Sequence, residues 1–275
     1  MPHPAITFAL CMACITLLSD FGLQDAAVAS VKGLLFQHAP ALPVFDISHM
    51  AEPYHMQQAS YLLKMAYGNF PEGSFHIVLC DVYHVAKPTM VLCMKDGHYF
   101  LTPDNGIVPL AFFNKYDAAW RCYDMAEGQN INDWVNQAAN IIRRVSEATD
   151  INALGYEQHT MSNKLVHWQP TLVGNTLECH VMHIDRFENV IVNLTKETFE
   201  NSRRGRNFRI QFARHTVTEI SNGYADVRMD DILCWFNSTG HLEIAINRGK
   251  AASMLGLKLD KEKHLLYTTI KIDFE

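Results

Sequence analysis

Apolar and polar positions change rhythm along this chain. Its first 150 residues alternate short, continuous apolar runs with longer segments whose apolar residues recur every three or four positions. The run "CITLLSD" predicts a buried strand, with Ile15–Leu18 as its core. "DAAVASVKGLLFQHA" predicts a helix with Ala27, Val28, Val31, Leu34 and Leu35 on one face. "LPVFDIS" predicts a second strand, "MQQASYLLKMAYGNF" a helix stopped by Gly68 and Pro71, and "SFHIVLCD" a third strand. "TMVLCMKDGHYFLTPDNG" predicts a hairpin and "INDWVNQAANIIRRV" another helix. This rhythm predicts an α/β domain with a mainly parallel sheet over residues 1–150.

Residues 151–165 are polar and aperiodic and predict a linker. From residue 166 the chain reads as short strands: "LECHVMHID", "NVIVNLT", "FRIQFA", "ILCWFNS", "LEIAI" and "TTIKIDF". The turn signals "NGYAD" and "STGH" separate them. Six strands at that spacing predict an antiparallel barrel or sandwich, and the expected form is a small antiparallel β-barrel domain over residues 166–275.

Hydrophobic residues make up 48% and charged residues 19%, which excludes a disordered chain. The 23 Lys+Arg against 29 Asp+Glu give a net charge of −6, which argues against a nucleic-acid partner. Most of the seven cysteines sit in apolar runs, the mark of buried thiols in a reducing compartment. Cys11-x-x-Cys14 has no second pair at zinc spacing, and the 14 histidines form no tight metal motif, so no metal is expected. The apolar run "AITFALCMACITLL" is too short to span a bilayer and lacks a basic flank, so it reads as an extension of the first strand. The expected location is cytoplasmic, with no membrane partner. "NLT" at Asn193 and "NST" at Asn237 are then incidental.

Three carboxylates, Asp20, Asp46 and Asp81, fall at the ends of predicted strands. Each could merely cap the next turn. Together they mark the edge where an open parallel sheet binds ligands, and a carboxylate there can accept both hydroxyls of a ribose.

The ordered segments "TLLSDFGLQDAAVASVKG", "FDISH", "FPEGSFHIVLCD", "TPDNG", "HIDRFENVIVNL" and "FNSTGHLEIAINRGKAASMLGL" resemble the S-adenosyl-L-methionine hydrolase (adenosine-forming) family, related to the fluorinase and chlorinase. The resemblance runs from about residue 15 to the end of the chain. It implies attack of a nucleophile on carbon 5′ of S-adenosyl-methionine, with methionine as leaving group and no cofactor. It implies that Asp20 holds the ribose hydroxyls, that Asp25 supports it, and that Tyr54 lies beside the nucleoside. It counts Asn105 of "TPDNG" among the substrate-binding residues. It implies that Asn189 and Ser238 hold the methionine end, and that Ile246–Arg248 contacts adenine, with Arg248 itself a possible surface residue. It further implies a homotrimer, with the ligand between the two domains.

The chain departs from the family pattern where water is handled. Hydrolases of the family carry an Arg seven residues after the Asp matched by Asp81; that position here is Pro88, and the later "EGQNINDW" segment has no His. Tyr83 and His84 also replace the small residues of the halide-using relatives. Three readings stay open: Asp81 with His84 as general base, a hydrolase working by alignment alone, or a binding protein for S-adenosyl-methionine or adenosine without catalysis.

Overall fold

In the computed structural model, described over residues 13–162, 169–259 and 269–275, the chain divides into two compact units, Met1–Val166 and His167–Glu275. The first is built on one seven-stranded sheet in the order β2-β1-β3-β5-β4-β6-β7. Its strands are β1 (Ile15–Ser19), β2 (Val44–Ser48), β3 (Phe75–Leu79), β4 (Thr89–Lys95), β5 (His98–Pro103), β6 (Ala118–Asp124) and β7 (Glu157–Gln158). Helices α1 (Ala27–His38), α2 (Met56–Ala66), α3 (Ile107–Phe112) and α4 (Ile131–Glu147) cover it. Strands β1 and β3 are buried at every position, because helices pack on both sides. One face meets α1 and α4 through Val31, Leu35, Trp134, Ala138 and Ile142. The other meets α2 and α3 through Met56, Leu63, Ile107 and Ala111.

The sheet is mixed, not mainly parallel. β2, β1, β3 and β5 pair in parallel, while β4, β6 and β7 pair antiparallel. The cause is the predicted hairpin. Asp96 and Gly97 both take positive φ (50° and 75°), the two-residue turn that matches strand twist, so β4 folds back beside β5. Helix α4 starts on a capping box: Asn130 accepts from Asn132 N–H at 2.8 Å, and Asp133 accepts from Asn130 N–H at 2.9 Å. Residues 151–162 carry a 3₁₀ turn, Ile151–Leu154, and then β7, which pairs with β6.

The second unit holds two antiparallel sheets. Its strands are β8 (Thr171–Val173), β9 (Thr176–Cys179), β10 (Val181–Ile184), β11 (Val190–Thr195), β12 (Phe208–Phe212), β13 (His215–Val217), β14 (Ile232–Phe236), β15 (His241–Ile246) and β16 (Ile270–Phe274). One sheet runs β10-β11-β15-β14 and the other β13-β12-β16-β9-β8. Both feed one core through Val192, Ile244, Phe212 and Ile272, with α5 (Lys196–Arg203) adding Phe199 and α6 (Ala251–Leu255) adding Ala251. No strand pairing among the described residues joins the two sheets, so the expected closed barrel is not seen. Cys14 is buried, whereas Cys11 and most of the leading apolar run lie outside the described residues. Among the described residues no helix is long and apolar enough to cross a membrane.

Candidate active site

Parallel pairing of β1 with β3 and of β3 with β5 brings Asp20, Asp81 and Asn105 to one edge of the sheet. Asp81 donates its backbone N–H to Asp20 Oδ2 at 3.0 Å. Among the described residues no other residue hydrogen-bonds the Asp20 carboxylate, although its own backbone N–H lies against it. Partial burial raises the Asp20 pKa above the ordinary carboxylate value; the Asp81 N–H opposes this, and the Asp81 charge adds to it.

Asp81 sits at φ 45°, a left-handed conformation that Asp tolerates better than most residues. Asn105 holds it there. Its Nδ2 donates to Cys80 O at 2.9 Å and Asp81 O at 3.3 Å, while its Oδ1 accepts from Ile107 N–H at 3.3 Å. Asn105 thus ties the Asp81 turn to the start of α3, and its side chain is spent on that task.

His84 lies in the same turn, with its N–H bonded to Asp81 O at 3.3 Å. The ring turns elsewhere: Nδ1 is 3.4 Å from Val82 O, and no hydrogen bond links it to the Asp81 carboxylate. Pro88, where the family pattern places Arg, lies beside the start of the later segment that lacks a His. Buried Pro88 offers its carbonyl to Met125 N–H at 3.0 Å. The segment after Met125 is closed by Gln129, whose Oε1 accepts from Ala126 N–H at 2.6 Å and from the Tyr123 hydroxyl.

The other expected residues of this unit spread out. Asp46 lies within β2 and pairs with Lys32 at 2.6 Å and His49 at 3.0 Å, not with Asp20 or Asp81. Asp25 is exposed, and its Oδ1 accepts from Ala27 N–H at 2.9 Å, a turn that starts α1. Tyr54 is 80% exposed at φ 63°, in the turn before α2, with no hydrogen bond or ring contact to Asp20 among the described residues.

In the second unit, Asn189 is buried, and both donors of its Nδ2 are engaged, by Asp185 Oδ2 at 3.0 Å and Tyr224 Oη at 2.9 Å. The Tyr224 hydroxyl donates to Glu243 Oε1 at 2.5 Å. Glu243, itself buried, also accepts from Trp235 Nε1 at 3.0 Å and Asn237 Nδ2 at 3.2 Å. Burial, then the Glu243 hydrogen bond and charge, push the Tyr224 hydroxyl pKa up. Ser238 is exposed on the β14–β15 turn, which Asn237 closes by accepting from Thr239 N–H at 3.1 Å and His241 N–H at 3.2 Å. Arg248 is exposed at φ 60° in the turn after β15. Glu243 therefore links the neighbourhoods of Asn189 and Ser238. Its only signal in the sequence is a single acid inside the apolar run "LEIAI".

Two family models match the chain, the S-adenosyl-methionine (SAM) hydroxide adenosyltransferase N-terminal domain over residues 15–146 and its C-terminal domain over residues 179–263. A protein of Thermus thermophilus named (R)-S-adenosyl-L-methionine hydrolase is 27% identical over 252 residues, covering 88% of this chain and 94% of the relative. One of the same name from Methanocaldococcus jannaschii is 25% identical, covering 92% and 95%. The crystal structure of an uncharacterized conserved protein from Thermotoga maritima shares the fold, with a TM-score of 0.78 at 22% identity over 94% of this chain and 99% of that one.

Proposed function

Given that this chain belongs to the SAM hydroxide adenosyltransferase family, we propose that it hydrolyses S-adenosyl-L-methionine to adenosine and L-methionine. The observation that carries the reading is the Asp20 carboxylate at the sheet edge, held by Asp81 N–H and bonded by no side chain among the described residues. A carboxylate so fixed accepts the ribose diol and thereby sets carbon 5′ in place. The water oxygen bonds to carbon 5′ as the carbon–sulfur bond breaks. The electron pair of that bond goes to sulfur, giving neutral methionine thioether, and the water loses one proton. The sulfonium is a good leaving group that needs no acid. Alignment therefore carries most of the acceleration, which can reach about 7–11 kcal/mol. In this reading Asp81 faces the reacting centre and His84 takes the proton.

Both Nδ2 donors of Asn189 being engaged, only its Oδ1 is left for a ligand. An acceptor suits the methionine ammonium and not its carboxylate. Ser238 would meet the same amino-acid end and Arg248 the adenine. Tyr54 would cover the nucleoside and Asp25 support the Asp20 loop. The reading includes a homotrimer in the cytoplasm, which rests on the family resemblance and is checked by light scattering on the purified protein.

A second reading, a SAM or adenosine binder without turnover, is favoured by one observation. Pro88 stands where the family pattern has Arg, and the later segment, which holds no His, is closed by Gln129. Incubation with S-adenosyl-methionine, followed by chromatography for adenosine, separates the two. Adenosine released by the wild type and absent with Asp20→Ala supports hydrolysis. Binding without release supports the second reading, and neither binding nor release overturns both.

A further inference from the structure

Four side chains run in series to the residue before Asp20. Lys32 Nζ of α1 is 2.6 Å from Asp46 Oδ2. Asp46 Oδ1 is 3.0 Å from His49 Nε2. Among the described residues Nε2 makes no hydrogen bond, so the Asp46 charge and not a directed bond couples the pair. His49 Nδ1 is 2.7 Å from Ser19 Oγ. Ser19 is fully buried and His49 is 4% exposed.

The series ends on the backbone around Asp20. Phe21 N–H reaches Ser19 Oγ at 3.4 Å, and Gly22 N–H donates to His49 O at 2.7 Å. His49 therefore fixes the chain on both sides of Asp20, through its side chain before it and its carbonyl after it. The hydrogens can be counted through. The negative Asp46, itself neutralised by Lys32, favours the tautomer with hydrogen on Nε2. Nδ1 then accepts the Ser19 hydroxyl, and the Ser19 oxygen is left to accept Phe21 N–H.

The order Ser, His, Asp is that of a nucleophile with its base. A hydroxyl with no exposed surface cannot reach a substrate, so a role as nucleophile does not fit. What a buried series of this kind can do is hold a loop.

We propose that Ser19, His49, Asp46 and Lys32 are positioning residues that fix the direction of the Asp20 carboxylate, and so set the affinity for a nucleoside's ribose diol. The proposal rests on the nucleoside reading above, and its test separates the two. Amide hydrogen exchange at Phe21 and Gly22 reports the loop without any ligand, and calorimetry with adenosine reports binding. Ser19→Ala is expected to speed exchange at both amides and weaken adenosine binding about tenfold, the loss of roughly one hydrogen bond. Ser19→Thr, which keeps the hydroxyl, is expected to restore both. Asp46→Asn, a partly exposed change, carries the same test should Ser19→Ala not fold. Unchanged exchange, or faster exchange with unchanged affinity, overturns the relay. Failure of the wild type to bind adenosine overturns the nucleoside reading, and exchange alone then decides whether the series holds the loop.

Discussion

Asp81 serves Asp20 through its backbone, not its side chain: the Asp81 N–H, 3.0 Å from Asp20 Oδ2, joins residues 61 apart in the sequence. The two carboxylates can therefore be separated by substitution. Asn accepts the left-handed φ of residue 81 and keeps the N–H. Asp81→Asn should bind adenosine within about threefold of the wild type while adenosine release falls. Asp20→Ala should weaken binding by about a hundredfold, since two charge-assisted hydrogen bonds are lost. Calorimetry on both variants checks this, and comparable losses would remove the distinction.

Acid should weaken nucleoside binding earlier than an ordinary carboxylate would allow. Burial raises the Asp20 pKa, so its proton returns at a higher pH, and the neutral acid is a poorer acceptor for two hydroxyls. Adenosine affinity should fall with pH from a midpoint above about 4, the usual Asp value. A profile unchanged down to that pH counts against Asp20 as the binding group.

His76 should make the fold acid-sensitive. It is fully buried between Thr16 Oγ1 at 2.7 Å and His98 Nδ1 at 3.1 Å. Burial, with the His98 charge adding, holds its pKa down to about 3, against 6.5 for a free imidazole. The unfolded chain therefore binds the proton first. The stability this gives is complete above pH 6.5 and is lost as pH falls toward 3, at about 1.4 kcal/mol per pH unit from this one group. His76→Phe can still stack on Phe100, whose ring centre lies 4.9 Å away. It should be less stable at neutral pH yet show a flatter acid slope in urea melts.

Glu243→Gln should separate the two halves of the substrate. The carboxylate accepts from Tyr224, Trp235 and Asn237, and an amide nitrogen in its place would face a donor. The expected cost is about 1–3 kcal/mol of stability. Because Glu243 links Asn189 to the Ser238 turn, KM for S-adenosyl-methionine should rise while adenosine affinity stays within about twofold. An equal loss for both ligands would show that the network does not favour the methionine end.

His84→Ala tests the base. Among the described residues the ring makes one hydrogen bond, to Val82 O at 3.4 Å, so its removal should leave the melting temperature within about 2 °C. Adenosine release should drop by ten- to a hundredfold, within the range of a general base. Release that does not change leaves alignment as the whole of catalysis.

Apolar periodicity alone was enough for β1–β5 with α1, α2 and α4, and for six strand runs of the second unit, because core faces impose periods of two and 3.6; it did not show α3, β6, β7, β8 or β13, which are short or lack a clear period. "CITLLSD" and "SFHIVLCD" became β1 and β3, buried on both faces. The sequence also put Asp20 and Asp81 at strand ends, since chemistry at an open sheet sits where strands stop. What those carboxylates meet depends on how distant strands pair. Periodicity carries no pairing register, so it could not show that Asp81 offers Asp20 its backbone, nor that Asp46 turns to Lys32 and His49. The mixed sheet followed from a two-residue turn at Asp96–Gly97 that sent β4 between β5 and β6. Glu243 and Ser19 looked like ordinary members of apolar strands. Their roles depend on donors and acceptors brought from distant segments, and that is set by packing and not by local pattern.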